Sequence, residues 1–247
     1  MENGTGNRLG MFLLGATLAL GFGWAAYMIS GAMVKMKQES LIRVKGVAET
    51  KIKSNFATWQ CGIWFRSVEI KAGYDGLEKY RQSVLDYLKT AKIPTGEYSV
   101  SPIEIYMEYK PDEKGNKTNT IEFYTLKQSV VVNSSDVAKV DAAAHGVSDL
   151  IKNGVELKSG RPAFVNTDIE AIKMELLAKA TKNAYERAQT LAANSNGMVG
   201  RLNSASQGVF QITPVNSTDV SDSGAYDTST IDKSIKAVVT LEFQVAK

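Results

Sequence analysis

The longest uncharged stretch of the chain runs from Leu9 to Val34, and its 26 residues include no Asp, Glu, Lys or Arg. As a helix rising about 1.5 Å per residue it would be roughly 39 Å long, more than the roughly 30 Å hydrocarbon core of a bilayer. A cleaved signal peptide has an apolar run of only about 7 to 15 residues. We therefore predict a tail at 1–8, a transmembrane anchor at 9–34 and a linker at 35–40. Cleavage after Ser30-Gly31-Ala32 is the alternative.

Small residues recur at every fourth position inside this apolar stretch. Gly15, Ala19 and Gly23 would share one helix face, where a second helix backbone could approach closely. They are candidate packing positions within the membrane. The ordinary glycine and alanine content of a membrane helix explains the same pattern.

Alternating polar and apolar positions predict seven strands after the anchor, and spacings of three and four predict three helices. In the second strand, Trp64, Val68 and Ile70 make the second face apolar as well, so we expect both faces to be covered. We take Trp64 and Val68 as candidate contacts between copies of the chain. The predicted strands are 41–53, 56–70, 97–109, 120–132, 155–165, 198–212 and 237–245, and the predicted helices are 73–92, 135–152 and 168–195.

The third predicted helix carries a ridge of small side chains at Ala180, Ala184, Ala188 and Ala192. Such a ridge allows close packing against a sheet or a second helix. Packing inside the domain is the favoured interpretation, because most helical stripes face a core. We keep the four alanines as candidate oligomer contacts.

The segment 213–234 is rich in serine and threonine and has no apolar period. This composition favours a polar flexible loop, and the alternative is an arm ordered by a partner. The elements together predict a single α+β domain at 41–247, built from mostly antiparallel strands with about three packed helices.

Charge and rare residues exclude several classes of function. The net charge of +3 comes from dispersed residues, so no basic stripe indicates nucleic-acid binding. Cys61 is the only cysteine, which excludes an internal disulfide, and His145 is the only histidine, which excludes a two-histidine zinc site. Glu104 and Glu108 share one strand face, where a solvated edge is expected. The sequence predicts no catalytic residue, no cofactor and no metal ligand.

Four segments carry a resemblance to a known family. They are Val44-Lys45-Gly46-Val47-Ala48-Glu49, Lys92-Ile93-Pro94 before 99–105, Phe123-Tyr124-Thr125-Leu126 before Val130-Val131-Val132, and Asn196-Gly197-Met198-Val199-Gly200-Arg201-Leu202 after the alanine-rich helix 177–193. In order and spacing, residues 41–246 resemble the SIMPL domain family of bacterial envelope proteins. Lys53-Ser54-Asn55-Phe56 departs from the Pro-Asp pair of many relatives, so the local turn is not predicted.

The resemblance implies an α+β fold, an exported or membrane-anchored protein, and in some members ring-like or channel-like homo-oligomers with loose links to oxidative or envelope stress. We therefore expect a noncatalytic inner-membrane protein with a single span and a self-associating domain in the periplasm. The alternative is a ligand-binding or enzymatic domain around His145 or the 213–234 loop, although no small-molecule substrate is indicated. Lys35, Lys37, Arg43 and Lys45 favour the opposite, cytoplasmic orientation.

Overall fold

The N-terminal apolar stretch forms one helix, α1 (Thr5–Lys37). The computed structural model describes the backbone of residues 5–37 and 40–246, and the side chains of 13–31 and 40–246. Leu13–Gly31 has a mean hydropathy of 1.5, and none of it is buried. This segment is long and apolar enough to cross a membrane, and a signal sequence passes the same test. The helix includes the predicted anchor at 9–34 and extends into the predicted tail and linker. Residues 1–4 and 38–39 of those segments lie outside the described residues.

The rest of the described chain is α+β, as predicted, with strands arranged in two sheets and mostly antiparallel. Short 3-10 helices lie at Thr95–Glu97 and Val147–Asn153. The helices are α2 (Ile70–Thr90), α3 (Val137–Gly146) and α4 (Ile169–Asn194). The strands are β1 (Leu41–Lys53), β2 (Phe56–Ser67), β3 (Tyr98–Val100), β4 (Glu104–Pro111), β5 (Lys117–Ser134), β6 (Leu157–Ser159), β7 (Ala163–Val165), β8 (Met198–Gln207), β9 (Gln211–Pro214), β10 (Ala225–Tyr226) and β11 (Asp232–Ala246).

The chain divides into two compact units. The first unit comprises Met1–Val47, Lys179–Gly208 and Val238–Lys247, and the second comprises Ala48–Ala178 and Val209–Ala237. The boundaries fall inside β1, α4 and β11, so these three elements contribute residues to both units.

A six-stranded sheet covered on one face by α2 and α3 forms the core of the second unit. Strand order is β3-β5-β2-β6, with β4 also on β5 and β7 also on β2. Helix α2 packs here because Leu77, Val84 and Leu88 recur at helical spacing and are fully buried. Trp59 of β2 is buried below them, and its indole N–H donates to Ser159 Oγ at 3.0 Å.

In the first unit, the alanine ridge of α4 packs against β1 at Gly46. A Cβ built on Gly46 would lie 2.1 Å from the carbonyl oxygen of Ala180 and 2.6 Å from Ala184 Cβ. The Val47 amide donates to Asn183 Oδ1 at 3.1 Å, which fixes the strand on the helix. All four ridge alanines, 180, 184, 188 and 192, are at most 1% exposed. Their proposed role as oligomer contacts is therefore wrong, because the chain's own packing buries them.

Several predicted strands are interrupted where the backbone cannot continue a ladder. The 97–109 strand divides into β3 and β4 around Pro102, which has no N–H, and 155–165 divides around Gly160 and Pro162. The 198–212 strand divides at Gly208 into β8 and β9. The predicted helix 135–152 changes to a 3-10 helix after Gly146.

The predicted loop 213–234 contains regular structure. Residues 213–214 end β9, β10 pairs with β9 in parallel, and 232–234 belong to β11. Lys233 is only 1% exposed. Its ammonium bonds the Thr230 carbonyl and lies 3.3 Å from Asp227 Oδ2. Burial alone would raise the pKa of Asp227, but hydrogen bonds from Ser229 and Thr230, together with Lys233, hold it well below its usual value.

Candidate functional site on the open face of the second unit

The two faces of β2 have different environments. The face towards the helices carries Trp59, Cys61 and Ile63, each at most 1% exposed. The opposite face carries Gln60, Gly62, Trp64 and Arg66 and is only partly buried. The expectation that both faces are covered is therefore wrong. The strand ends at Ser67, so Val68 lies in the following turn and Ile70 opens α2.

A cavity of about 640 Å³ lies on this open face, and Gly62 contributes to its lining. Ser129 of β5 and Lys158 of β6 are the direct cross-strand neighbours of Gly62. Gln60 and Trp64 flank it along the same strand face, because side chains alternate along a strand. A Cβ added at Gly62 would have nothing within 4 Å. The centre of this ring of side chains is therefore open.

Two carboxylates border the cavity, and both already accept hydrogen bonds from hydroxyls of the protein. Glu104 Oε2 accepts from the Tyr106 hydroxyl at 2.6 Å, and Glu108 Oε1 accepts from Thr125 Oγ1 at 2.8 Å. The bond to Glu104, and then the charge of Glu104, raise the pKa of Tyr106. Glu104 and Glu108 share one face of β4, as predicted, and there they line the cavity.

Three cationic side chains also border the cavity. Lys127 Nζ lies 4.6 Å from the centre of the Tyr106 ring, and Arg66 Cζ lies 5.2 Å from the centre of the Phe123 ring. Lys158 is exposed and has no hydrogen-bond acceptor among residues 40–246. The three cations form no ion pair within that range.

The two residues that most often carry nucleophilic or base chemistry lie elsewhere. Cys61 is fully buried on the helix side of β2, and burial raises its pKa to about 11. His145 is on the surface of α3, where Nδ1 lies 2.8 Å from the Asp141 carbonyl oxygen. Neither residue lines the cavity. Among the described side chains, no three His, Cys, Asp or Glu residues cluster as a metal site would require.

A second exposed surface lies on β4, an edge strand whose sole pairing partner within residues 40–246 is β5. Ile105, Met107 and Tyr109 are 43%, 52% and 40% exposed, and we call these three residues the edge patch. The register irregularities place the extra residues on β5, so β4 itself keeps a regular alternation. The free edge of β4 is therefore apolar on the face that carries the edge patch.

The remaining predicted site residues are separated in the fold. Trp64 is half-buried on the wall of the cavity, and Val68 is 76% exposed after β2. Gly15, Ala19 and Gly23 are exposed on α1, and their role in helix packing stays a prediction. The cavity around Gly62 was missed from the sequence, although a glycine inside a strand of apolar alternation was its signal.

The model of the SIMPL family, described as a protein of unknown function (DUF541), matches residues 42–243. The chain belongs to the SIMPL family. The match begins in β1 and ends in β11, so the SIMPL domain contains both units except for α1 and the last residues. No curated protein matches the chain.

Proposed function

We propose that this protein is a noncatalytic SIMPL domain, tethered to a membrane by α1, that self-associates through the edge patch on β4. The observation that carries the proposal is the exposure of Ile105, Met107 and Tyr109 on a strand that pairs on one edge with β5 and, among residues 40–246, has no partner on its other edge. Natural proteins usually protect such strands with charges or cover them, because unpaired backbone groups and apolar side chains favour association.

The sequence of β4 is suited to antiparallel pairing with the same strand of a second copy. A two-fold axis at Met107 would place Ile105 opposite Tyr109, and Glu104 opposite Lys110. Cross-strand pairs of opposite charge and of large apolar side chains stabilise a ladder by about 0.2–1 kcal/mol each. Both kinds of pair would occur twice in a symmetric interface.

The proposal is tested by measuring the particle size of the full chain in mild detergent. We expect an oligomer for the wild-type chain and a smaller particle for Met107→Lys, because the two lysines would face each other on the axis. Asn119→Lys introduces the same charge at an exposed position of β5 and should leave the size unchanged. A strictly monomeric wild-type particle over a wide concentration range would refute self-association.

A charge exchange tests the register. Glu104→Lys alone would place two cations opposite each other, so it should weaken the oligomer. Adding Lys110→Glu should restore the wild-type size, because the pair is then reversed. Failure of the double variant to recover would exclude this register. The double variant Gly15→Leu, Gly23→Leu tests separately whether the copies associate through α1. Both changes lie in that helix and leave the SIMPL domain unaltered.

We further propose that the domain faces the periplasm from the bacterial inner membrane, in a role linked to envelope or oxidative stress. The apolar helix and the family resemblance support this location, whereas Lys35, Lys37, Arg43 and Lys45, which follow the apolar stretch, favour the cytoplasmic side. A reporter that is active on only one side of the membrane, fused after Lys247, tests the orientation. Activity only for a cytoplasmic reporter would refute the periplasmic location.

A further inference from the structure

We propose that the cavity over Gly62 binds an organic anion with a flat apolar body, the anionic group at Lys158 and the body against Trp64. This inference goes beyond self-association, because the cavity and the edge patch are formed by different residues.

Nothing within the described chain requires a glycine at position 62. Its φ is not in the left-handed region, and an added Cβ would meet no atom within 4 Å. Gly73 and Gly160 of the same unit have clear reasons: a Cβ at Gly73 would lie 2.5 Å from Leu126, and one at Gly160 would lie 2.9 Å from the Gln60 carbonyl oxygen. Glycine inside a strand costs roughly 0.5–1 kcal/mol relative to alanine. An unexplained glycine in a central strand is typical of a site that another molecule approaches closely.

The charged side chains on the border of the cavity favour an anionic ligand. Glu104 and Glu108 each accept a hydrogen bond from a protein hydroxyl, so their charges are partly satisfied. Lys158 has no acceptor among residues 40–246, and it lies directly across from Gly62. The border as a whole carries three cations, Arg66, Lys127 and Lys158, against these two carboxylates, so its net charge is positive and favours an anionic group.

The shape of the cavity suits a flat ligand. Trp64 is two residues from Gly62 on the same strand face, roughly 7 Å away, so its ring system forms a wall next to the open floor. A flat apolar body can lie on a glycine and against an indole without displacing the backbone. The volume of about 640 Å³ is within the range of small-molecule sites.

A small molecule fits the cavity better than the surface of another protein. Arg66, Lys127 and Lys158 on its border would lose hydration under a large partner, and cores of protein interfaces are depleted of such lysines. A small ligand leaves most of these side chains in contact with water.

The test uses naphthalene-2-sulfonate as the probe and its neutral sulfonamide as the matched control, titrated calorimetrically into the full chain in mild detergent. We expect saturable binding of the sulfonate at one site per chain. Gly62→Leu should weaken it by about tenfold or more, because the side chain occupies the floor. Lys158→Gln should weaken the sulfonate by about tenfold and leave the sulfonamide unchanged, because one charged hydrogen bond is lost.

Gly96→Leu is the matched glycine control, since a Cβ at Gly96 also has nothing within 4 Å but the residue does not line the cavity. It should bind the sulfonate as the wild type does. Absence of saturable sulfonate binding would overturn the proposal, and so would equal affinity for Gly62→Leu and wild type. A smaller particle for Gly62→Leu with unchanged sulfonate affinity would also overturn it, by assigning the cavity to contact between copies. Lys158→Gln is an exposed change and keeps the test valid if Gly62→Leu does not fold.

Discussion

Two glycine-to-alanine substitutions provide the sharpest test of the packing described above. Both glycines lie in strands, but Gly46 is pressed against α4 and Gly62 faces open space. In Gly46→Ala the new Cβ would lie 2.1 Å from the Ala180 carbonyl oxygen and 2.6 Å from both Cβ and N of Ala184. Because ordinary contacts lie near 3.5 Å, strand and helix would have to separate by roughly 1 Å or more.

The expected loss of stability in Gly46→Ala follows from this separation. Overpacking of this kind costs about 1–3 kcal/mol. Separation also strains the bond from the Val47 amide to Asn183, and the bond from Arg187 Nη1 to the Lys45 carbonyl at 3.2 Å, each worth about 1 kcal/mol. We therefore expect Gly46→Ala to lower stability by about 3–5 kcal/mol. Gly62→Ala should instead raise stability by about 0.5–1 kcal/mol, because alanine loses less backbone freedom on folding.

Thermal unfolding of the full chain in mild detergent, followed by circular dichroism, measures both effects. For a domain of this size we expect Tm to fall by roughly 6–20 °C for Gly46→Ala and to rise by about 1–4 °C for Gly62→Ala. Equal Tm values for the two variants would refute the close approach of β1 and α4 at Gly46.

Three further results are expected. Lys233→Ala should destabilise the protein by about 3–5 kcal/mol in urea unfolding, because Asp227 would lose the cation buried beside it; loss of under about 1 kcal/mol would contradict this. The pKa of Asp227 is lower in the folded state, so its contribution to stability should be complete above about pH 4 and should decline as the pH falls further. Acid unfolding of the wild type compared with Asp227→Asn tests this direction. Cys61 should resist maleimide at pH 8 until the protein unfolds, since burial raises its pKa to about 11; rapid native labelling would show that the β2 core opens.

Local pattern was sufficient for the helices that cover the second unit's sheet. Leu77, Val84 and Leu88 predicted α2 because burial on one helix face leaves a spacing that is visible in the sequence. The strand breaks at Pro102 and Gly160 also have signals in the sequence, but the alternation of polar and apolar residues on either side predicts continuous strands. Both breaks follow from backbone chemistry rather than from distant contacts.

Features that depend on distant parts of the chain could not be predicted. The alanine ridge is visible in the sequence, but its partner Gly46 lies more than 130 residues away. The same ridge would therefore be seen whether it packs inside the chain or between copies. The open floor at Gly62 depends on pairing with both Ser129 and Lys158. The burial of Lys233 was missed because a lysine in a polar segment usually remains in water.

The division of the chain into two units determines the order in which the protein can fold during synthesis. The first unit contains the N-terminal helix, yet it also needs β8 and the last strand, β11. During synthesis, β1 therefore emerges long before the strand β11 beside which it lies in the sheet. The unit that contains α1 can be completed only after the whole second unit has been synthesised.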